Sequence, residues 1–385
     1  MTNIVAIDVS KDKSSFYVMD SESKFKKADD FPMTKAGFHN FILQTGRLKE
    51  PAFFMESTGR YHLTLLKFLL NHGKDTFIVN PVLVKNFSKA NTLRKTKTDK
   101  VDARLIAAFA NNNSCKLNKA EYGLNEEIRS LARRREQLSE EVTRAKTQLK
   151  ADLSVAFPEI LSLNVFTDSM LSFIAEYPSP KAVLKAEEQE LHAALETAGR
   201  GRKKNVPVEA IINMAVNSIG IDSYGPLASD SVNALLALKK REKTVTDSLL
   251  AYMNKHHRPE MDILESIPGI GQITASHFIA EIGDIHKYER YQNLIAYCGT
   301  DPGLYESGNI HRKGHITKHG NASLRRYVYL MASGVKTYNP YFRAYYDKKR
   351  SEGFPHRKAM VALMNKLIRT IFALLTKGET FIMPN

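Results

Sequence analysis

The sequence predicts a mixed α/β domain followed by two largely helical regions, and three observations carry that expectation. Up to about residue 124, short apolar strands alternate with amphipathic helical runs. Between about 125 and 258, two long polar stretches place apolar residues three and four apart. From 259 onward, glycine turns separate helical runs from a stretch dense in Lys, Arg and Tyr.

Taken in order, Ile4-Val5-Ala6-Ile7-Asp8-Val9 reads as a buried strand that ends in an acid. Ser10 to Lys13 makes a turn, and Ser15 to Met19 alternates as the second strand of a hairpin. A third strand is expected near Phe25 to Phe31 and a helix over Thr34 to Thr45. Pro51 to Glu56 is again an apolar strand closed by an acid, leading through Ser57-Thr58-Gly59 into a helix from Tyr61 to Leu70. Asp75 to Asn80 is a further strand, stopped by Pro81.

Thr98-Asp99-Lys100-Val101-Asp102-Ala103 opens an apolar-periodic run through Val101, Leu105, Ile106, Ala108 and Phe109. Residues three apart share a helix face, so Asp99 and Asp102 are expected to point the same way. Lys85, Lys89, Arg94, Lys95, Lys97 and Lys100 surround them. One reading is a helix N-terminal turn with Thr98 as the cap and acids favoured by the dipole. The other starts from the two strands that end in Asp8 and Glu56, because ligands of open α/β sheets gather beyond such ends. If those strands are neighbours, Asp8, Glu56, Asp99 and Asp102 can close a four-carboxylate cluster. Hard oxygen ligands without His or Cys suit Mg²⁺ or Mn²⁺. Two such ions, about 3.5–4 Å apart, can clamp the attacking and leaving oxygens of a phosphodiester displacement. Singly, Asp8 also reads as a solvated strand end and Glu56 as a helix N-terminal acid.

In the middle region, Ile128, Leu131, Leu138, Val142, Ala145 and Leu149 form a heptad stripe that Arg135 interrupts. A second long helix, about Ser231 to His256, carries Val232, Leu235, Leu238, Val245, Leu249 and Tyr252. The spacing allows the two helices to pair within one chain or between subunits. Gly199 to Lys204 is a basic loop closed by Pro207, either solvated or in contact with phosphate.

In the C-terminal region, Ile267-Pro268-Gly269-Ile270-Gly271 separates two helical stretches. Glycines two apart let a backbone approach phosphate, with the next helix's N–H groups to bind it, as in a helix-hairpin-helix contact with DNA. A tight helix–helix turn is the alternative. From Glu306 to Arg350 ten Lys and Arg, Arg312, Lys313, Lys318, Arg325 and Arg326 among them, interleave with tyrosines and face only two acids. That is the footprint of a nucleic-acid backbone surface. His311, His315 and His319 are spaced by four, but Gly314 interrupts the helix a metal site at that spacing needs. Ser307, beside Gly308, is a loop serine or a nucleophile that requires activation.

The totals agree with a nucleic-acid partner. The 385 residues carry a net charge of +15, with 43% hydrophobic and 25% charged residues, enough for two or three domains of roughly 100–200 residues. Cys115 and Cys298 are too few and too far apart for a disulfide scaffold. No signal-peptide layout and no uninterrupted apolar run of membrane length stands out, so a reducing cytoplasm is the expected setting.

Asp8, Glu56, the Thr98–Ala103 block, the Pro-Gly-Ile-Gly turn, and Ser307-Gly308 followed by Gly314-His315-Ile316-Thr317-Lys318-His319-Gly320-Asn321 occur in this order. Together they resemble the DEDD-type insertion-sequence transposases, relatives of the Piv and MooV DNA invertases, over essentially the whole chain. The resemblance implies a RuvC-like domain of ribonuclease-H fold over 1–124, a coiled-coil region over 125–258 and a mainly helical transposase domain over 259–385. It implies that Asp8, Glu56, Asp99 and Asp102 bind a divalent ion and that Ser307 attacks DNA to form a phosphoserine link. It further implies a structured non-coding guide RNA, the element ends and target DNA as partners, and dimers that join into tetramers. Many members carry a small or hydroxyl residue before the Ser-Gly, where this chain has Glu306. Two other function classes use the same residues: a metal-dependent structure-selective nuclease acting through water, and a non-enzymatic nucleic-acid scaffold.

Overall fold

The structure, a computed structural model, describes residues 3–20, 22, 24–57, 60–91, 99–113, 119, 124–196, 207–307 and 310–383. The chain forms two compact units, Met1–Leu124 and Asn125–Asn385.

The first unit is built on five strands, β1 (Asn3–Asp8), β2 (Lys13–Asp20), β3 (Phe25–Pro32), β4 (Pro51–Glu56) and β5 (Thr76–Val79), with four helices: α1 (Lys35–Thr45), α2 (His62–Asn71), α3 (Pro81–Asn91) and α4 (Asp99–Asn113). The sheet order is β3-β2-β1-β4-β5. The first three strands are antiparallel, whereas β4 runs parallel to both β1 and β5. Alternation splits the central strands between two cores, as strand pleating requires. Val5, Ile7, Phe53 and Met55 pack with Phe38, Phe41, Leu65 and Leu69 from α1 and α2. Ile4, Ala6, Ala52 and Phe54 pack on the other face with Val84 of α3 and Ile106, Ala107 and Ala110 of α4. A sheet covered by helices on both faces explains why β1 and β4 read as continuous apolar runs. The arrangement is consistent with a RuvC-like domain. Thr34 starts α1 by accepting the Gly37 amide at 3.1 Å.

The second unit is organised on two helices, α5 (Leu124–Ala156) and α10 (Gly225–His256). They pair with each other antiparallel, which answers the question the heptad spacing leaves open. Ser231 donates to Asp152 at 2.5 Å near one end, and Arg135 meets Glu242 at 3.1 Å nearer the other. Arg135, the interruption in the apolar stripe, is thus an ion pair within the helical hairpin. Beyond the first end, Leu149, Leu153, Val232 and Leu235 share a core with α6 (Asp168–Glu176), α7 (Pro180–Lys185), α8 (Glu188–Glu196) and α9 (Val208–Val216). Toward the other, Ile128, Ala132, Leu249 and Met253 join a larger core. That core is made with α11 (Arg258–Glu265), α12 (Gln272–Ile282), α13 (Tyr291–Cys298), α14 (Ala322–Tyr338), α15 (Pro340–Ser351) and α16 (His356–Lys377). By length and composition α16 could cross a membrane. Here it is the central helix of this core, with Ala359, Met360, Leu363, Leu367, Ile368 and Ile371 buried.

The C-terminal region is not purely helical. A two-stranded antiparallel hairpin, β6 (Pro302–Ser307) and β7 (Ile310–Ile316), projects between α13 and α14. The segment from Asp301 to Asn321, to which the sequence reading assigned no strand, is in large part this hairpin. The basic loop expected at 199–204 lies outside the described residues.

Candidate catalytic sites

In the first unit, Asp8 and Glu56 end two adjacent parallel strands, one step beyond the Ile7–Met55 pair. Both follow residues of the α1/α2 core, so strand alternation turns them to the α3/α4 face. Both are half-buried. Helix α4 crosses that face, presenting Ala103, Ile106, Ala107 and Ala110, each 0% exposed, to the sheet. Asp102, one residue before Ala103 and four before Ile106, is half-buried at the edge of this stripe. Asp99 is the first residue of α4, four before Ala103, so its backbone position falls on the stripe. Thr98 and the basic residues 94–97 lie outside the described residues.

Sequence reasoning did not single out Asp30. In register, Asp8 lies opposite Ser15, and Ser15 opposite Asp30, so the three form a row across β1, β2 and β3. Ser15 Oγ donates to Asp30 at 2.6 Å and Lys13 Nζ lies 2.6 Å from the same carboxylate. A cavity of about 440 Å³ lined by Glu50, Gly73, Lys74 and Asp75 opens where β4 and β5 begin, at the opposite end of the strands from the acids. Among the described residues, Glu188, His192 and Glu209 are close enough together to share a metal ion. All three are exposed, on α8 and α9, and none belongs to the four expected carboxylates.

In the second unit, Ser307 is the last residue of β6 and pairs with Ile310 at the tip of the hairpin. It stands five residues from Pro302, which at about 3.4 Å per residue is roughly 17 Å along the strand. Arg312 and Lys313 lie in β7 opposite Tyr305 and Leu304. The register shifts by one residue between Pro302 and Leu304, leaving Gly314-His315 opposite Gly303 as a bulge. His311 and His315 are therefore strand residues, not helical neighbours.

The base of this hairpin is fixed on every side. Gly299 ends α13 in the left-handed region at φ +70°. The Lys318 amide, itself at φ +55°, donates to the Gly299 carbonyl. Thr300 Oγ1 donates to Asn365 of α16 at 2.7 Å, and Asn365 returns a bond to the Thr300 carbonyl. Thr317 donates to the Asp301 carboxylate at 2.6 Å. A Cβ on Gly320 would lie 2.1 Å from the Tyr297 carbonyl oxygen and 2.6 Å from the Gly299 nitrogen, so only glycine fits.

The two glycines of the Pro-Gly-Ile-Gly turn have different surroundings. Gly269 adopts φ +101° and abuts Gly334 of α14, where a Cβ would stand 2.5 Å from the carbonyl carbon. Gly271 is exposed, precedes the first turn of α12 and has open space around it. Of the expected phosphate-binding cations, Lys318 is exposed. Arg325 donates to the Cys298 carbonyl at 3.0 Å. Arg326 lies 3.1 Å from Glu136 and also pairs with Glu140, both on α5. Some tyrosines of the basic stretch are likewise used internally: Lys366 of α16 sits 3.8 Å from the Tyr341 ring centre and 4.4 Å from that of Tyr345. Tyr329 and Tyr338 are exposed.

Two buried polar residues of α12 also escaped the sequence reading. Glu281 is fully buried and accepts both Arg133 Nε at 2.9 Å and a second guanidinium nitrogen at 3.1 Å. This hydrogen bond raises the Arg133 pKa. His277, one turn earlier, is also fully buried and stacks on Tyr327 at 3.7 Å between ring centres. Neither ring nitrogen has a hydrogen-bond partner among the described residues. Burial, with help from the charges of Arg135 and Arg326, lowers its pKa to about 3. The signal was a His and a Glu four apart in a helix whose other residues from Ile273 to Ile282 are apolar or small.

A family model described as a DEDD-type transposase matches residues 5–158, and one described as the transposase IS116/IS110/IS902 family matches 261–347. The chain belongs to the DEDD-type insertion-sequence transposases. The first match spans all four expected carboxylates, and the second spans the glycine turn and Ser307. Among relatives, an insertion element IS116 protein of Streptomyces clavuligerus is 26% identical over 88% of this chain and 86% of its own. The transposase for insertion sequence element IS1111A of Coxiella burnetii is 25% identical over 89% and 82%. The pilin gene-inverting protein of Moraxella bovis is 22% identical over 85% and 80%. As a transposase of this family, the protein belongs with DNA-binding enzymes that cleave and rejoin DNA.

Proposed function

We propose that this transposase is the recombinase of an insertion sequence, cutting and rejoining DNA through a phosphoserine formed at Ser307. The observation that supports the reading is that Asp8 and Glu56 end adjacent parallel strands on the face that the helix bearing Asp99 and Asp102 covers. Four carboxylates with no sulfur or imidazole donor fit a hard divalent cation, Mg²⁺ or Mn²⁺. When bound, such an ion neutralises charge building on the reacting phosphate.

Asp8, Glu56, Asp99 and Asp102 would hold that ion, with the two strand-end acids fixed by the sheet behind them. Ser307 Oγ attacks phosphorus, forming the Oγ–P bond as the bond from phosphorus to a deoxyribose oxygen breaks. The serine proton is released to water and the departing oxygen takes one up. One phosphodiester replaces another, so a second DNA hydroxyl can reverse the step and rejoin strands without an energy source. Arg312 and Lys313, on β7 opposite Tyr305 and Leu304, supply positive charge on the hairpin, and Lys318 supplies it at the base, for flanking phosphates. Gly271, exposed at the start of α12, leaves that helix's N-terminus open to a DNA phosphate. The partners are the element ends, the target DNA, a structured guide RNA and further copies of the chain. Inversion and transposition are two outcomes of the same chemistry, and the likeness to pilin gene-inverting proteins supports both.

A suicide DNA substrate tests the reading. Wild type with Mg²⁺ is expected to yield a covalent protein–DNA adduct, and Ser307→Ala none. Asp102→Asn should lower adduct formation by about 10³-fold or more, since charge stabilisation at phosphate carries most of such a barrier. An adduct that persists in Ser307→Ala sinks the serine mechanism. Cleavage without adduct that survives Ser307→Ala but not Asp102→Asn would assign a water-using nuclease instead. Sequencing the nucleic acid that copurifies with the protein tests the guide: a discrete structured RNA is expected, and its absence refutes that part.

A further inference from the structure

We propose that Glu281 is a positioning residue that aims the Ser307 hairpin, a role that rests on the reading of Ser307 as nucleophile. Glu281 lies in the last turn of α12 and is 0% exposed. Its carboxylate faces two elements at once. On one side, Arg133 of α5 holds both oxygens, at 2.9 and 3.1 Å, and Arg129 Nε lies 3.8 Å away. On the other, Asn321 Nδ2 donates to Glu281 at 2.6 Å and reaches the Tyr297 hydroxyl at 3.2 Å.

Asn321 closes the short link, Thr317 to Gly320, by which the hairpin's return strand reaches α14. Its Oδ1 caps α14 by accepting the Leu324 amide at 3.0 Å, and its own amide donates to the Tyr297 carbonyl at 2.6 Å. It follows Gly320, the residue wedged between Tyr297 and Gly299. The angle at which β7 leaves the helical body is therefore set where Asn321 is held, and Glu281 holds its side chain. A two-stranded hairpin is marginal by itself, so such tethers govern where its tip spends its time. Over a strand of roughly 17 Å, a small change of angle at the base displaces the tip enough to spoil in-line attack.

An uncharged acceptor would satisfy Asn321 at lower desolvation cost than a fully buried carboxylate. The charge has a use only if the guanidiniums of α5 are part of the device. Arg129 and Arg133 lie in the first three turns of α5, the helix that continues the chain from the first unit. Glu281 thus ties that helix to the base of the arm carrying the serine. Nearby, Ser323 donates to Glu136 at 2.6 Å, and with the Arg326 pairs it fastens the start of α14 to α5.

The test uses the full chain with a suicide element-end DNA and Mg²⁺, comparing wild type, Glu281→Gln, Asn321→Ser and Ser307→Ala. Serine at 321 still caps α14 but is too short to reach Glu281, so this variant keeps the fold if the glutamine variant does not. Both Glu281→Gln and Asn321→Ser are expected to lower the single-turnover adduct rate at saturating DNA by about tenfold or more, with DNA Kd changed less than about twofold. Amide hydrogen exchange without DNA should accelerate across 302–307 and 310–316 while α12 and α16 stay protected. Adduct rates within about twofold of wild type, or exchange rising equally through α12 and α16, would overturn the assignment. If Ser307→Ala forms adduct as wild type does, the nucleophile reading fails, and hairpin exchange still decides whether Glu281 holds the arm.

Discussion

Asp8 and Glu56 end strands that neighbours hold on both edges and helices cover on both faces. Ser307 stands at the far end of a two-stranded arm whose described tethers gather at its base. The same transposase thus presents its candidate charges from a rigid sheet and its candidate hydroxyl from a lever. Metal ligation rewards the first, because carboxylates that repel one another must be held before the ion arrives. Covalent capture of DNA suits the second, because the serine must reach phosphorus and later yield the strand. The sheet end is therefore expected to fail globally when damaged, and the arm to fail locally.

Phe54→Ala should give the largest stability loss. Phe54 is fully buried beside Ala6 and Ile106 and stacks on Phe77 at 4.7 Å. Truncation is expected to cost about 3–5 kcal/mol, read as an earlier unfolding transition of the first unit in urea. A loss below about 1 kcal/mol would mean the α3/α4 face is not packed as described. On the arm side, Gly320→Ala places a methyl group against three backbone atoms that cannot yield. About 1–3 kcal/mol is expected, with faster exchange of hairpin amides as its signature. Unchanged exchange there would break the distinction between a sheet-held and a base-held site.

The last effect concerns pH. His277 has its pKa lowered from the ordinary 6.5 to about 3 by burial. The unfolded chain therefore binds more protons than the folded one between those values. Stability is complete above pH 6.5 and falls toward pH 3, by about 1.4 kcal/mol per pH unit. His277→Phe keeps the stack on Tyr327 and removes two unpartnered nitrogens, so urea midpoints at pH 7 and pH 5 should draw together. Equal losses in variant and wild type would place the acid sensitivity elsewhere.

Much of the first unit was legible because its signals are local. Continuous apolar strands such as Val5 to Ile7 and Ala52 to Met55 could only be central, and each closes with an acid. The pairing of α5 with α10 was not legible, since heptad spacing is the same within and between chains, and Arg135 looked like a flaw until Glu242 stood opposite. The β6–β7 hairpin was missed because its few apolar residues, Leu304, Tyr305, Ile310 and Ile316, do not alternate regularly among its Gly, His, Arg and Lys. The available clue was the dipeptide Gly308-Asn309, whose residue types favour a two-residue hairpin turn in any sequence. The contrast between Gly269 and Gly271 is tertiary: only the approach of Gly334 separates a packing glycine from an exposed one.

The stalk of α5 and α10 has a further consequence, in the units of a ruler. Its residues connect two separate cores, one with α6 to α9 and one with α11 to α16. Each helix rises about 1.5 Å and turns about 100° per residue, so length and rotation cannot be changed independently. Adding seven residues to both helices would move the smaller core outward by about 10.5 Å and rotate it only some 20°. Adding four or five would turn it to face elsewhere. Whatever the smaller core meets, its distance and bearing from the larger one are quantised by the helix repeat.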